Sequence, residues 1–381
     1  MAMRPIADPI RVAILGGGVA ALSAAYELSH PRQQGRFAVT VYQLGWRLGG
    51  KCASGRDVTP HQGMRIKEHG PHLLFGFYDN GFEMMEECYS ALQRPAAHPF
   101  RTFDDAVIGS DECCVMEKPD GAWAVWDLPL VALPGKPGAE GSPTRWEVGL
   151  NAFNKLADQM QTSGVDFPDE LLDVDESKAE QACRGFDELL DSCCDRHLAA
   201  EARGRIARSR VEGGADRHTL VIVIAVELAV KAAISAQNRA AKIKISHGRI
   251  PHEDALALAH HLRCTQHWVQ FVARYLESPS DDIRHWIILG DLGATTMLGA
   301  TLDELLLPTP ETLLAANRFE YRDWLLSFGA LPMTVDSAVV RALYDTVFGY
   351  AGGDISQDGN VEAGSTVRAQ LEMISSRGSI F

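Results

Sequence analysis

The segment 11–51 constrains the fold of this chain more than any other stretch. Arg11–Leu15 is a short apolar run without strict alternation, as expected of a strand buried on both faces of a parallel sheet. Three glycines follow, and then a run of small residues at helical spacing that ends before Pro31. Phe37–Tyr42 is rich in β-branched and aromatic residues and predicts a second strand. Strand, glycine turn, helix and strand form the βαβ layout of a dinucleotide-binding half-domain.

The glycine turn is a candidate phosphate-binding site. Backbone amides at a helix N-terminus bind phosphate when no Cβ blocks the approach, and Gly16 and Gly18 provide that access. Ala21 stands where the usual GxGxxG pattern has its third glycine, a position that serves close packing of helix on strand. The alternative is a purely structural turn. We expect a pyrophosphate to lie against six consecutive residues: Gly16, Gly17, Gly18, Val19, Ala20 and Ala21.

The second strand ends in an amide where an acidic residue is usual. In dinucleotide-binding folds a carboxylate at this place holds the ribose hydroxyls, whereas this chain has Gln43. A glutamine can hydrogen-bond a ribose but brings no charge. This difference argues against an ordinary NAD-dependent dehydrogenase.

A second glycine pattern, Arg47-Leu-Gly49-Gly50-Lys51, follows the second strand. Together with the first turn, and with the segments Glu68–His72 and Phe75–Phe77, it resembles the N-terminus of flavoproteins of the phytoene desaturase and amine oxidase superfamily. The resemblance covers residues 1–80. It implies an α/β fold in which a Rossmann-like FAD-binding βαβ domain is joined to a mixed sheet and a large helical substrate domain.

The resemblance also implies non-covalently bound FAD. The adenosine ribose would meet Gln43, and the segment near the flavin ring would include Gly70, Pro71 and His72. The phosphates and ribityl chain would lie along the second glycine pattern, at Arg47, Gly49, Gly50 and Lys51. Arg47 and Lys51 are cations that a pyrophosphate favours. The alternative is that both are solvated surface charges.

The activity implied by the resemblance is FAD-dependent dehydrogenation or isomerisation of an apolar substrate, such as an isoprenoid or carotenoid. Because the flavin itself accepts the hydride, no protein nucleophile is required, and we name no catalytic residue. His69 and His72 could move protons or orient substrate; alternatively they are loop histidines bonded to backbone.

Two other hypotheses for the function remain: an NAD(P)-binding oxidoreductase, and a truncated, non-catalytic relative that acts as an interaction protein.

Four regions follow from the sequence. Residues 1–80 form the FAD-binding region, and 81–145 form a mixed β region and linker with a hairpin that turns at Pro119–Gly121. Residues 146–347 are mainly helical. The segment 348–381 resembles a degenerate or truncated return to the FAD domain; alternatively, it belongs to the substrate domain.

The apolar run Thr219–Ser235 has the length of a membrane span. It contains Glu227 and Lys231, which could pair at four-residue spacing. We therefore favour a buried core helix. The wall of an apolar substrate tunnel, a membrane-surface contact, a true span, and a strand at Leu220–Val226 are the alternatives.

Composition limits the partners. The net charge of −14 gives no excess of positive charge for general nucleic-acid binding, so we expect small-molecule partners. The eight cysteines form no CxxC pair, and no signal peptide is evident at residues 1–9. A cytoplasmic location fits these features, with peripheral membrane contact as a further possibility; the oligomeric state stays open.

Glu253 and the histidines at 260, 261 and 267 lack zinc-site spacing, so we expect no metal.

Overall fold

The computed structural model describes residues 8–59, 61, 63–68, 70, 72–110, 112–118, 121–129, 133, 135–137, 143–162, 176–212, 217–276 and 279–378. The chain forms two compact units, of which the first ends at Leu73 and the second begins at Leu74. The four regions expected from the sequence stay predictions.

The first unit contains the predicted βαβ arrangement. Strand β1 (Ile10–Leu15) leads into helix α1 (Val19–Ser29), and β2 (Phe37–Tyr42) follows. The two strands are parallel and pair in register along their whole length, from Ile10 opposite Phe37 to Leu15 opposite Tyr42. The small residues of α1 allow it to pack against both strands. The sequence prediction of strand, helix and strand is confirmed.

The prediction that β1 is buried on both faces is wrong. No residue of β1 or β2 is fully buried, and Leu15 is 82% exposed. Among the described residues β1 pairs with β2 alone, and within this unit α1 packs on the two strands. A sheet of two strands with one helix leaves apolar side chains uncovered.

The remainder of the first unit has little regular structure. A 3₁₀ turn spans Gly50–Cys52, and two short antiparallel strands, β3 (Gly55–Arg56) and β4 (Ile66–Lys67), pair with each other. The glycine- and proline-rich segment therefore forms loops, as its composition predicts.

The second unit begins with two helices and a hairpin. Helix α2 spans Asp79–Ala91 and α3 spans Phe103–Ala106. Strands β5 (Glu112–Glu117) and β6 (Ala124–Pro129) are antiparallel. The predicted hairpin is confirmed, although Pro119 and Asp120 of its turn lie outside the described residues.

Helices make up most of the remaining described residues of the second unit, as the sequence predicts for residues 146–347. They are α4 (Arg145–Thr162), α5 (Glu176–Cys193), α6 (Arg196–Glu212), α7 (Arg217–Ala240), α8 (His252–Tyr275), α9 (Asp281–Leu302), α10 (Pro310–Ala316), α11 (Tyr321–Ser327), α12 (Pro332–Val335), α13 (Ala338–Thr346) and α14 (Ala363–Ile374). A continuous core runs through these helices and includes buried Trp268, Trp286 and Trp324.

Helix α7 lies in this core and packs against α4, α5, α6 and α8. The alternative of a strand at Leu220–Val226 is therefore wrong. By length and composition α7 could also cross a membrane, and half of its most apolar stretch is buried within the protein. The predicted pairing of Glu227 with Lys231 is wrong as well. Glu227 instead accepts two hydrogen bonds from Arg205 of α6, at 2.5 and 3.0 Å.

One carboxylate is buried in the helical core. Asp291 of α9 accepts hydrogen bonds from Gln270 (2.7 Å) and from the backbone N–H of Leu331 (2.8 Å), which precedes α12. Burial raises the pKa of Asp291, and these hydrogen bonds oppose that effect. The charged form of this side chain therefore costs free energy in the folded protein.

The C-terminal segment is part of the second unit. Helix α14 packs against α4, α10 and α11. The Leu133 N–H donates to the Ser376 carbonyl at 2.9 Å, and the Gly378 N–H donates to the Leu133 carbonyl at 3.1 Å. At Gly76 a Cβ would overlap the backbone of Arg377, so only glycine allows this contact.

Candidate functional site

The first glycine turn joins β1 to α1. The Gly16 N–H donates to the Tyr42 carbonyl at 2.7 Å, which extends the β1–β2 pairing by one residue. Gly16 has a φ of +103°, a conformation that favours glycine. Gly17 is covered, because a Cβ there would lie 2.6 Å from Leu48 Cδ2 and 2.7 Å from Gln43 Oε1. These two glycines are required by the turn itself.

Gly18 differs from Gly16 and Gly17 because neither its backbone conformation nor a neighbouring atom requires a glycine at this position. It is the N-cap of α1, its backbone is extended, and no side chain caps the helix. A Cβ on Gly18 would meet no atom within 4 Å. The first N–H groups of α1, at Val19, Ala20 and Ala21, have no intrahelical acceptor. The helix N-terminus therefore presents N–H donors and a partial positive charge, beside space that no described residue fills.

The second glycine turn lies against the first. The Gly49 N–H donates to the Gly17 carbonyl at 2.7 Å, and Gly49 and Gly18 form a β-bridge. A Cβ on Gly50 would lie 2.9 Å from Gly18 Cα. Gly50 also has a positive φ of +59°. The two glycine patterns, which lie 30 residues apart in the sequence, thus meet backbone to backbone at the start of α1.

Gln43 holds these two turns together. Its Nε2 donates to the Arg47 carbonyl at 3.2 Å, and its Oε1 lies over Gly17. The side chain follows directly after β2, where a ribose-binding residue belongs. Its contact with a ribose stays a prediction.

The two predicted cations have different surroundings. Arg47 donates to the Ala53 carbonyl at 3.0 Å and also to the Ser54 carbonyl. Its guanidinium therefore fastens the loop after the second glycine turn. Lys51 is exposed, and its ammonium has no ion-pair partner in the described part of the chain. Of the two, Lys51 is the cation available to an anion.

The predicted flavin-proximal segment is only partly described. His69 and Pro71 lie outside the described residues, whereas Gly70 and His72 lie within them. His72 Nδ1 is 3.1 Å from Glu68 Oε2, and its Nε2 is 3.3 Å from the Lys51 carbonyl oxygen. His72 therefore connects its own loop to the second glycine turn. Both partners are acceptors, so both ring nitrogens donate only when the imidazole is protonated.

A parallel βαβ unit whose glycine turn opens into an uncapped helix is the architecture of a dinucleotide-binding domain. Residues 14–88 match the family model of the NAD(P)-binding Rossmann-like domain. The N-terminal part of the chain is therefore a Rossmann-like dinucleotide-binding domain. Such domains occur in FAD-dependent oxidoreductases such as amine oxidases and desaturases, which supports an oxidoreductase in general terms. No curated protein and no solved structure matches the chain significantly.

The sequence did not point to a polar cluster between the hairpin and α9. Glu117 of β5 accepts hydrogen bonds from Arg284 at 2.9 and 2.7 Å and lies 2.8 Å from His285 Nε2. Trp126 stacks on the His285 ring at 3.8 Å. The hydrogen bonds from Arg284 lower the pKa of Glu117. The partners are more than 160 residues apart, and no local pattern connects them.

Proposed function

We propose that the chain is an FAD-dependent oxidoreductase of the desaturase, dehydrogenase or isomerase type. The observation that carries the proposal is the backbone contact between the two glycine turns at Gly18 and Gly50. This contact places the uncapped N-terminus of α1 and the second glycine turn, which ends in Lys51, beside each other. A dinucleotide has two phosphates, and two adjacent donor surfaces suit it better than one.

Each residue of this surface has a defined role in the proposal. The N–H groups of Val19, Ala20 and Ala21 bind the pyrophosphate, and the Lys51 ammonium pairs with its negative charge. Gly18 leaves room for the phosphate to approach. When bound, FAD supplies the hydride acceptor. Gln43 keeps the two turns in contact and lies where the ribose would be.

His72 would orient the segment that passes the flavin ring. It holds that segment to the second glycine turn through the Lys51 carbonyl, and Glu68 fixes its other nitrogen. Replacement of His72 should therefore disturb cofactor position before it disturbs the fold.

An apolar substrate, isoprenoid- or carotenoid-like, follows from the resemblance alone. Most of the apolar face of α7 is packed in the helical core, which favours a core helix over the wall of a substrate tunnel. An open cleft of about 350 Å³ in the second unit has charged residues in its lining, including Glu86, Asp104 and Lys136, where Lys136 pairs with both carboxylates. A cytoplasmic location and peripheral membrane contact, through which such a substrate would be reached, belong to the same proposal.

An NAD(P)-dependent oxidoreductase is the second candidate, because the matching domain is described as NAD(P)-binding. The glycine turn and α1 would serve either cofactor. The second glycine turn favours FAD, since the resemblance to flavoproteins depends on it.

The test is to identify the bound cofactor. We expect the purified full chain to show flavin absorption, and heat to release FAD identifiable by chromatography. If the protein is purified without cofactor, titration with FAD and with NAD(P)H distinguishes the two candidates. Lys51→Ala should weaken FAD binding, whereas Lys67→Ala should not, because Lys67 already pairs with Asp57 at 2.7 Å. Failure to bind either dinucleotide would exclude both candidates and favour a non-catalytic relative.

A further inference from the structure

A pair of cysteines on two core helices forms a cluster outside the dinucleotide site. Cys193 is the last residue of α5, and Cys264 lies in the middle of α8. The two helices pack together in a fixed register. The Phe186 ring contacts the Trp268 ring at a centroid distance of 5.3 Å, and a Cβ on Gly185 would lie 3.2 Å from the Tyr275 hydroxyl. This antiparallel register places the end of α5 beside residues 264–267.

The Cys193 sulfur is surrounded by polar groups. His267 Nδ1 lies 3.9 Å from Cys193 Sγ, and the Ser192 hydroxyl donates to the same sulfur at 3.7 Å. Cys264 stands one helical turn before His267 on α8 and is the group that acts most strongly on the Cys193 thiol. Cys264 in turn lies 3.7 Å from His260 Nε2. The two thiols therefore lie near each other where α5 packs on α8, with an imidazole beside each.

The surroundings shift the pKa values of the two thiols in opposite directions. The hydrogen bond from Cys264 lowers the pKa of Cys193, and those from His267 and Ser192 act in the same direction, against the effect of burial. The pKa of Cys264 is raised, by the neighbouring Cys193 and by burial. Burial raises the pKa of the adjacent Cys194 to about 11. The surroundings thus favour the thiolate form at Cys193 and the protonated form at Cys264.

The two cysteines also differ in solvent exposure, in the way expected of an attacking and a resolving thiol. Cys193 and His267 are half-buried, whereas Cys264 is 2% exposed, so Cys193 is the more accessible of the two cysteines. A half-buried cysteine with a lowered pKa beside a buried thiol is the arrangement of an attacking and a resolving cysteine. Among the described residues no group of three or more His, Cys, Asp or Glu side chains is placed to hold a metal ion. The cluster is therefore better suited to redox chemistry than to zinc binding.

We propose that Cys193 and Cys264 form a peroxide-reactive dithiol that closes to a disulfide between α5 and α8. The oxidant is a hydroperoxide. The Cys193 thiolate, whose proton has gone to solvent, attacks one peroxide oxygen. An S–O bond forms, the O–O bond breaks, and the released hydroxide or alkoxide takes up a proton.

The second step closes the disulfide. The Cys264 thiol gives up its proton and its sulfur attacks the Cys193 sulfenic sulfur; the S–S bond forms, the S–O bond breaks, and the hydroxyl leaves as water. The two thiols together lose two electrons, and the peroxide is reduced to water and water or an alcohol. This reaction needs neither FAD nor the dinucleotide site, so it is independent of the proposed function.

Peptide mapping of the full chain tests the proposal. Hydrogen peroxide is added at equimolar amounts, free thiols are blocked, and tryptic peptides are analysed without reduction. Cleavage after Arg184, Arg196, Arg263 and Arg274 gives peptides 185–196 and 264–274. We expect these two peptides to be linked in the wild type and in Cys194→Ser, and unlinked in Cys193→Ser. Linkage through Cys194, or oxidation of Cys193 to sulfinic acid while Cys264 stays reduced, would overturn the proposal.

Alkylation of the unmodified wild-type protein provides a second measurement that does not depend on how the variants fold. At about pH 6, where ordinary thiols are protonated, iodoacetamide should label Cys193 about tenfold or more faster than Cys194. His267→Asn should slow the labelling of Cys193 and leave that of the exposed Cys52 unchanged. Equal rates at Cys193 and Cys194 would refute the assignment of Cys193 as the reactive thiol.

Discussion

Gly18→Ala separates dinucleotide binding from folding. Gly18 has an ordinary extended backbone, and an added methyl group would meet no protein atom within 4 Å. Alanine at an N-cap costs up to about 1 kcal/mol relative to glycine, and the reduced entropy of the unfolded chain offsets about 0.4–1 kcal/mol of that. The free energy of unfolding should therefore change little.

The same methyl group would point into the space from which the phosphate reaches the first N–H groups of α1. A charge-assisted hydrogen bond is worth about 1.5–3 kcal/mol, so losing one such bond corresponds to a rise in Kd of about 12- to 140-fold. Calorimetric titration of the full chain with FAD measures this change, and thermal unfolding checks the fold.

Gly204→Ala is the matched control. Gly204 lies in α6 of the second unit, and the closest atom to an added Cβ there is the end of the Arg208 side chain at 3.6 Å. This variant should bind FAD as the wild type does. If Gly18→Ala keeps wild-type affinity while the wild type binds FAD, the phosphate does not approach α1 at Gly18, and the assignment of this surface is wrong.

Three further predictions concern stability. Gly16→Ala should destabilise the first unit by about 1–3 kcal/mol in urea unfolding, because its φ of +103° strains any side chain; an unchanged midpoint would contradict this. Glu117→Ala should cost about 3 kcal/mol, since it removes the buried ion-pair partner of Arg284 and leaves this largely buried arginine with the exposed Asp281. Asp281→Ala, which removes that exposed partner instead, should cost less than about 1 kcal/mol; similar losses would refute the role of burial. Because the folded pKa of Asp291 is raised, its stabilising contribution is complete below its ordinary pKa and is lost as pH rises through the folded pKa. Asp291→Asn should therefore gain stability relative to the wild type as the pH rises above the ordinary aspartate pKa of about 4, and a difference that does not vary with pH would exclude this account.

The βαβ unit was predictable because its signals are local. Apolar runs, three adjacent glycines and small residues at helical spacing each act within a few residues, and they determine β1, α1 and β2 almost to the residue. The burial of β1 was not predictable in this way, because it depends on how many strands and helices cover it.

The candidate site was predictable in position but not in detail. The two glycine patterns belong together by resemblance, and the structure brings them into backbone contact at Gly18 and Gly50. The hydrogen bonds of Gln43 and Arg47 depend on the conformation of the intervening turn, which the residue types leave open. A cation in a motif is therefore not always a free cation.

Side-chain pairs between residues distant in sequence could not be predicted from local sequence patterns. Glu227 had a suitable lysine one helical turn away, but it pairs with Arg205 because α6 packs against α7. Cys193 and Cys264 likewise meet only because α5 and α8 pack in an antiparallel register. Tertiary packing, rather than local spacing, chooses among such partners.

The contact between Gly76 and Arg377 has a consequence for the order of folding. Gly76 lies just inside the second unit, and Arg377 follows its last helix, so their contact closes a loop of about three hundred residues. Contacts of such sequence separation form late and slow the folding rate. During synthesis, the helices from α4 to α13 can pair with their neighbours as they emerge, but the unit cannot close until residue 377 has left the ribosome. Until then, the backbone around Gly76 and Leu133 lacks its final partners and is open to chaperones and proteases.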